Sequence, residues 1–173
     1  MRIIGLAGWS GAGKTTLLIK VIPCLIARGL RVSTLKHAHH AFDVDQPGKD
    51  SHSHRMAGAT EVLVGAASRW ALVHELRGEP EPQLDMLLGK LSPVDLVIVE
   101  GYKSEPHRKI EVHRAANRKP LLSPDDRGIA GVVSDITVET SLPTAHLDDI
   151  PAIAAMLRRS AVSLDELLLL AES

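Results

Sequence analysis

The residues best suited to chemistry form one glycine-rich run near the amino terminus. Residues 8–15 read GWSGAGKT, which matches the phosphate-binding loop of nucleoside triphosphatases, G-x-x-x-x-G-K-[ST]. Glycines let the backbone curl around an anion, and its N–H groups together with the following helix terminus hold phosphates. Lys14 would neutralise β- and γ-phosphate charge, and the Thr15 hydroxyl would help to hold Mg²⁺. The predicted nucleotide-binding residues in this run are Gly8, Ser10, Gly11, Ala12, Gly13, Lys14, Thr15 and Thr16.

A second acidic element follows the apolar run 96–99. Glu100 stands where the carboxylate of a nucleotidase reaches Mg²⁺ directly or through water, although Asp is more usual there. Gly101 would let the backbone approach a γ-phosphate. The alternative is an ordinary carboxylate at the end of a strand, facing water. We predict that Thr15 and Glu100 hold the metal, and that Lys14 and Glu100 are catalytic.

Histidines and aspartates form a third cluster. Residues 36–45 read KHAHHAFDVD, which could bind a transition metal or line a substrate and Mg²⁺ site. The spacing matches no standard zinc pattern, and a solvated surface loop is the plain alternative. We favour a loop that senses the bound nucleotide, because it follows the second strand. Its candidate residues are Lys36, His37, His39, His40, Asp43, Asp45, Lys49 and Asp50.

Base recognition is weakly encoded. Asp135 follows an apolar run and could accept hydrogen bonds from N1 and N2 of guanine. The chain has no Asn/Thr-Lys-x-Asp motif. Guanine and adenine therefore stay open on the residues alone.

Strands that alternate with helices must position these groups. We predict strands at 2–7, 31–36, 61–64, 69–74, 95–101, 109–113 and 129–135. Helices are predicted from 14 to about 28, from 50 or 51 to 58, at 83–91, from 148 or 149 to about 159, and from 163 onward. This order predicts an α/β fold with a mainly parallel sheet, which binds ligands at the carboxyl ends of its strands. Strands 61–64 and 69–74 read as an inserted hairpin. Trp70 and Leu72 share one face of it, which would pair with a second copy or pack on its own core.

Composition limits the function further. The 173 residues suffice for a single domain, and with 45% apolar residues it can bury a core. Twenty basic and 21 acidic residues give a net charge of −1, which argues against bulk nucleic-acid binding. One cysteine, Cys24, excludes an intramolecular disulfide. No apolar run reaches the roughly 18 residues that span a bilayer, and the first strand leaves no room for a signal peptide, so we expect a cytoplasmic protein without membrane contact.

In combination these motifs resemble the molybdopterin-guanine dinucleotide biosynthesis protein B family. The resemblance rests on residues 8–16, 36–51, 54–59, 69–72 and 99–103, in the family's order. It implies the three-layer fold of the P-loop nucleoside triphosphatases, GTP bound with Mg²⁺, and weak GTPase activity. It also implies an accessory role beside the nucleotidyltransferase that joins GMP to molybdopterin, and a homodimer in which the hairpin extends the sheet. The resemblance favours guanine over adenine.

Two other classes of function remain. A small-molecule kinase would use the same loop, with Asp43, Asp45 or Glu100 as the base. A nucleotide-gated adaptor, or a metal-delivery protein using the histidine loop, would need no turnover. The sequence places no obvious catalytic arginine or glutamine, so any hydrolysis is expected to be slow.

Overall fold

The computed structural model describes residues 1–38, 42–102 and 105–171, with side chains up to Leu169 in the last helix. They form two compact units, one of Met1–His37 with Leu84–Ser173 and the other of Ala38–Gln83. That the two units act as one domain stays a prediction. Among the described helices, none is long and apolar enough to cross a membrane.

The helices and strands follow the predicted alternation. In chain order the strands are β1 (Arg2–Ala7), β2 (Val32–Lys36), β3 (Glu61–Ala66), β4 (Arg69–His74), β5 (Leu96–Glu100), β6 (Lys109–His113), β7 (Ile129–Ser134), β8 (Thr144–His146) and β9 (Val162–Ser163). The α-helices are α1 (Lys14–Ile26), α2 (Asp50–Met56), α3 (Leu84–Leu88), α4 (Ile150–Ser160) and α5 (Leu164–Ala171). A 3₁₀ turn covers Ala115–Asn117. The short strands β8 and β9 and this turn were not predicted.

The first unit is built on a sheet ordered β2-β5-β1-β6-β7-β8, with every neighbouring pair parallel. The short strand β9 pairs antiparallel with the start of β1. Parallel strands end at one edge, so β5 brings Glu100 beside Leu6 of β1 and beside Lys36 of β2. The predicted convergence of the carboxyl ends is confirmed for the strands of this unit.

Helices cover both faces of the sheet because its central strands are apolar on both sides. One core packs Ile4 and Ile98 against α1 and α4, and the other packs Ile3 and Val97 against α3 and α5. In α1 the buried residues recur at helical spacing, and they are Leu17, Leu18, Val21 and Leu25. The predicted three-layer α/β fold is therefore confirmed.

Helix ends follow local chemistry. Helix α1 ends at Ile26, two residues before the predicted end near Arg28. The last turn is tightened because Arg28 N–H bonds Leu25 O and Gly29 N–H bonds Ile26 O. Gly29 then takes a left-handed conformation, with φ 81°. The predicted capping box before α5 is confirmed, since Ser163 and Glu166 each bond the other's backbone N–H with their side chains. Helix α3 is shorter than predicted.

The second unit contains α2 and the β3–β4 hairpin. The strands pair antiparallel from Glu61↔His74 to Ala66↔Arg69, joined through residues 67–68. The predicted hairpin is confirmed and is longer than expected, since β3 continues to Ala66.

Candidate functional site

The phosphate loop joins β1 to α1 in a backbone conformation that needs glycine. Gly8 has φ 143°, and a Cβ there would collide with the carbonyl oxygen of Val112 on β6. Gly13 has φ 91° and is the residue directly before α1. Ala12 is buried beneath the loop. Among the other predicted residues, Ser10, Gly11, Thr15 and Thr16 are exposed, so an anion can reach the loop.

Lys14 lies across the mouth of this loop. Its ammonium donates to the carbonyl oxygens of Gly8, at 2.8 Å, and Trp9, at 3.2 Å. These contacts hold a positive charge beside the loop N–H groups. The charge is placed where phosphates bound by the loop would meet it.

Thr15 and Glu100, predicted as metal ligands, lie together. The Thr15 hydroxyl donates to the Glu100 carboxylate, with Oγ1 3.1 Å from Oε1. The contact follows from strand order, because β5 is the direct neighbour of β1. Hydroxyl and carboxylate oxygens are the hard ligands that Mg²⁺ takes, usually with phosphate oxygens and water. The donor set therefore fits Mg²⁺.

Gly101 locks the end of β5 against the end of β2. Its φ is 101°, and a Cβ there would lie 2.5 Å from the Cβ of His37. The backbone N–H of His37 donates to the Glu100 carbonyl at 2.8 Å, and its ring lies 4.7 Å from the ring of Tyr102. Lys36 pairs in register with Glu100. Lys36 and His37 thus stand at the same sheet edge as the phosphate loop.

Residues 114–120, which follow β6, support the phosphate loop, and sequence reasoning missed them. The Asn117 amide donates to Ser10 O at 3.1 Å. The Trp9 indole donates to Pro120 O at 2.9 Å, and the Lys119 ammonium lies 5.5 Å from the centre of the Trp9 ring. The sequence signal for this segment was the Trp9 indole, whose N–H is a donor that can bond a neighbouring carbonyl.

Asp135, predicted to read the base, lies just beyond β7. Its Oδ1 accepts the backbone N–H of Ala115 at 2.9 Å, and its Oδ2 lies 3.8 Å from Nη1 of Arg114. One oxygen therefore helps to fix the 114–120 segment. Each carboxylate oxygen has two lone pairs, so Asp135 retains acceptor positions for the N–H groups of a nucleotide base.

Asp43 and Asp45, predicted in the cofactor or partner loop, both bind Arg55 of α2. Asp45 accepts two hydrogen bonds from the guanidinium, at 2.8 and 3.1 Å, while Asp43 and Glu75 accept one each. Hydrogen bonding with Arg55 lowers the pKa of Asp45, and hydrogen bonding with Asp45 and Glu75 raises the pKa of Arg55. This network ties the loop to α2 and to Glu75, the residue after β4.

The rest of the predicted loop is less informative. Lys49 is the residue before α2, and Asp50 is the first residue of the helix. An acidic side chain at this end interacts favourably with the positive end of the helix dipole. His39 and His40 lie outside the described residues. Within residues 1–38, 42–102 and 105–171, no three His, Cys, Asp or Glu side chains are grouped to hold a metal ion.

The hairpin presents an apolar face. Leu63 pairs with Leu72 and Gly65 pairs with Trp70, so these side chains share one side of the two strands. Leu63 and Trp70 are about two-thirds exposed, at 66% and 67%, and they line a shallow groove with Gly65 and Ala66. The described residues therefore leave an apolar face of the hairpin exposed to solvent.

Sequence comparison identifies proteins that are similar to this chain over most of its length. The model of the family "Molybdopterin guanine dinucleotide synthesis protein B" matches residues 3–135. A molybdopterin-guanine dinucleotide biosynthesis adapter protein of Escherichia coli is 41% identical over 155 residues, which cover 88% of this chain and 89% of the relative. The Haemophilus influenzae protein of the same name is 43% identical, covering 88% and 85% of the two chains.

Solved structures agree with the sequence match. A crystal structure of molybdopterin-guanine biosynthesis protein B superposes with a TM-score of 0.72 at 29% identity, covering 96% of this chain and 99% of that one. A MobB homologue from Bacillus stearothermophilus gives 0.65 at 25% identity, covering 91% and 98%. The chain therefore belongs to the molybdopterin-guanine dinucleotide synthesis protein B family.

Proposed function

We propose that this protein is a GTP-binding adapter in the biosynthesis of molybdopterin-guanine dinucleotide, with slow GTPase activity. The main support for nucleotide binding is the Thr15–Glu100 contact beside the Lys14 loop, since it joins a candidate phosphate site to a candidate site for a hard cation. The pathway follows from family membership and from relatives named as adapter proteins in it.

The first unit supplies binding and charge for hydrolysis. The N–H groups of the loop hold the phosphates, and the Lys14 ammonium favours the charge that develops as the bond between the β,γ-bridging oxygen and the γ-phosphorus breaks. Thr15 and Glu100 would hold Mg²⁺, which neutralises β- and γ-phosphate charge when bound. Water takes the γ-phosphoryl group, giving GDP and phosphate.

Slow turnover fits an accessory role. The chain has two glutamines, Gln46 and Gln83, and both lie outside residues 1–37 and 84–173. The first unit thus lacks the glutamine that orients water in fast GTPases. A partner protein would supply the missing group. By family resemblance, we take that partner to be the nucleotidyltransferase that transfers GMP to molybdopterin.

The kinase alternative has less support. Two of its three candidate bases, Asp43 and Asp45, are hydrogen-bonded to Arg55. Hydrogen bonding with Arg55 lowers the pKa of Asp45, which makes that carboxylate a weaker base, and Asp43 already accepts a hydrogen bond from the same guanidinium. Glu100 remains, but its contact with Thr15 suits a metal ligand better.

We further propose that two copies associate through the hairpin. Leu63, Trp70 and Leu72 are exposed on one face, and a two-stranded sheet is marginal without additional packing. Pairing with a second copy would cover this face and extend the sheet.

A binding titration tests the nucleotide proposal. GTP, GDP and ATP are titrated by calorimetry with and without Mg²⁺, and phosphate release is measured with and without small-molecule acceptors. We expect GTP to bind more tightly than ATP, Mg²⁺ to strengthen the binding of GTP, and release to be slow and independent of acceptors. Absence of binding for all three nucleotides would refute the proposal, and acceptor-dependent release would favour the kinase.

A further inference from the structure

Arg114 lies against the phosphate loop on the side away from Glu100. It directly follows β6, which flanks β1 opposite β5. A Cβ placed on Gly13 would lie 3.3 Å from Nη2 and 3.7 Å from Nε of Arg114. The guanidinium therefore stands over the backbone of the residue that leads into α1.

Within the described part of the chain, this guanidinium forms a single, weak ion pair. Nη1 lies 3.8 Å from Oδ2 of Asp135, and the two side chains are 40% and 29% exposed. Ion pairs that are long and half-exposed contribute little to stability. Asp135 is itself fixed by the Ala115 N–H, so it can orient Arg114 at the loop without consuming its donors.

The chemistry of this position points to phosphate. A guanidinium presents a planar fork of N–H donors that matches two phosphate oxygens, and it is always charged. The loop N–H groups and the terminus of α1 attract the same anion. Three sources of positive potential thus converge within a few ångströms of Gly13.

We propose that Arg114 binds the phosphate chain of the nucleotide from the β6 side, at the end nearer the nucleoside. The inference rests on the proposed GTP binding. Thr15 and Glu100, the candidate Mg²⁺ ligands, lie on the β5 side and would take the β- and γ-phosphates. The opposite side is left for the α-phosphate, which GTP and GDP share. Arg114 is then a binding residue for both nucleotides and not a group that acts on the γ-phosphate.

The test compares Arg114→Ala, Arg114→Gln and Arg114→Lys with the wild-type chain. Affinities for GTP and GDP are measured by calorimetry and kcat by phosphate release. We expect Ala and Gln to weaken both nucleotides about tenfold to a hundredfold, as for the loss of a charged hydrogen bond, with kcat unchanged at saturation. Lys should lie between, because it keeps the charge and loses the fork. Arg108→Ala is the matched control, since Arg108 is exposed at the opposite end of β6, and it should bind normally.

The other possible outcomes would contradict either the role of Arg114 or the proposed nucleotide binding. Unchanged affinities in Arg114→Gln, folded by circular dichroism, would overturn the inference, and Gln serves as the deciding variant if Ala fails to fold. A fall in kcat with unchanged affinities, or a loss of affinity for GTP but not for GDP, would also overturn the inference and would indicate a role at the γ-phosphate. If the wild-type chain binds neither nucleotide, the proposed function fails instead.

Discussion

The hydroxyl of Thr15 donates a hydrogen bond to the Glu100 carboxylate, with 3.1 Å between Oγ1 and Oε1, although 85 residues separate the two in sequence. The contact exists because β5 lies beside β1 and both strands end at the same edge. It places a carboxylate at the first turn of α1, where Lys14 also reaches the loop. The Glu100 carboxylate therefore lies beside the positive potential of Lys14 and the loop N–H groups, an arrangement that suits a divalent cation bound together with phosphates.

Glu100→Gln tests this relationship. The amide oxygen can still accept the Thr15 hydroxyl, so the fold is kept, but the charge that attracts Mg²⁺ is lost. We expect the Mg²⁺-dependent part of GTP affinity to fall roughly tenfold or more, with binding in chelator unchanged. Calorimetry with and without Mg²⁺ measures both. Full Mg²⁺ enhancement in the variant would show that Glu100 is an ordinary carboxylate at the end of a strand.

Lys14→Ala should abolish binding and hydrolysis of the triphosphate while leaving the fold intact. The ammonium contacts the Gly8 and Trp9 carbonyls at the surface of the loop and is not part of either core. Lys20→Ala is the matched control, since Lys20 is exposed further along α1. Thermal unfolding checks the fold, and normal GTP turnover in Lys14→Ala would contradict the site.

Local patterns predicted the parts of the site that lie close together in sequence. The phosphate loop and the strand before Glu100 both carry their signal within a few residues, as a motif and as an apolar run. The Asn117–Ser10 and Trp9–Pro120 contacts join residues 107 and 111 positions apart, so no local pattern encodes them. Arg55 is only 10 and 12 positions from the aspartates that the sequence suggested as ligands, but the intervening segment has no periodicity that would show which side chains meet. Strands β8 and β9 have three and two residues, too few to show a periodicity.

Asp135→Asn tests base recognition. The Asn amide oxygen can keep the hydrogen bond from Ala115 N–H, but it cannot replace a carboxylate that accepts from both N1 and N2 of guanine. We expect the ratio of GTP to ATP affinity to fall about tenfold, because GTP binds more weakly while ATP binding is unchanged. Competition titration with both nucleotides measures the ratio. An unchanged ratio would limit Asp135 to holding the segment 114–120.

Trp70→Asp tests association through the hairpin. An aspartate would place a charge in the apolar face beside Leu63, and burying it against a second copy is costly. We expect a dimer for the wild-type chain and a folded monomer for the variant, measured by analytical ultracentrifugation. Arg69→Ser is the control, because Arg69 precedes Trp70 on the opposite face of β4. Dimers in Trp70→Asp, or a monomeric wild-type chain, would contradict the proposed interface.

Acid sensitivity follows from His107, which is fully buried and whose two ring nitrogens have no hydrogen-bond partner in the described structure. Burial, with a smaller effect of the nearby Lys109 charge, lowers the pKa of His107 to about 4, against the opposing influence of Asp126. In the unfolded chain the pKa is about 6.5. Above pH 6.5 the histidine is neutral in both the folded and the unfolded state, so it does not reduce the free energy of unfolding. As the pH falls from 6.5 towards 4, the unfolded state binds the proton first, and stability is lost.

The expected loss between these pH values is about 3 kcal/mol, from the shift of roughly 2.5 pKa units. Urea unfolding at pH 7.5, 6, 5 and 4 measures it. His107→Leu replaces the imidazole with an apolar side chain of similar volume, and we expect it to remove this part of the acid dependence. His146→Gln, at an exposed position of the same unit, should retain the wild-type slope. Equal pH slopes for His107→Leu and the wild-type chain would show that His107 does not govern acid stability.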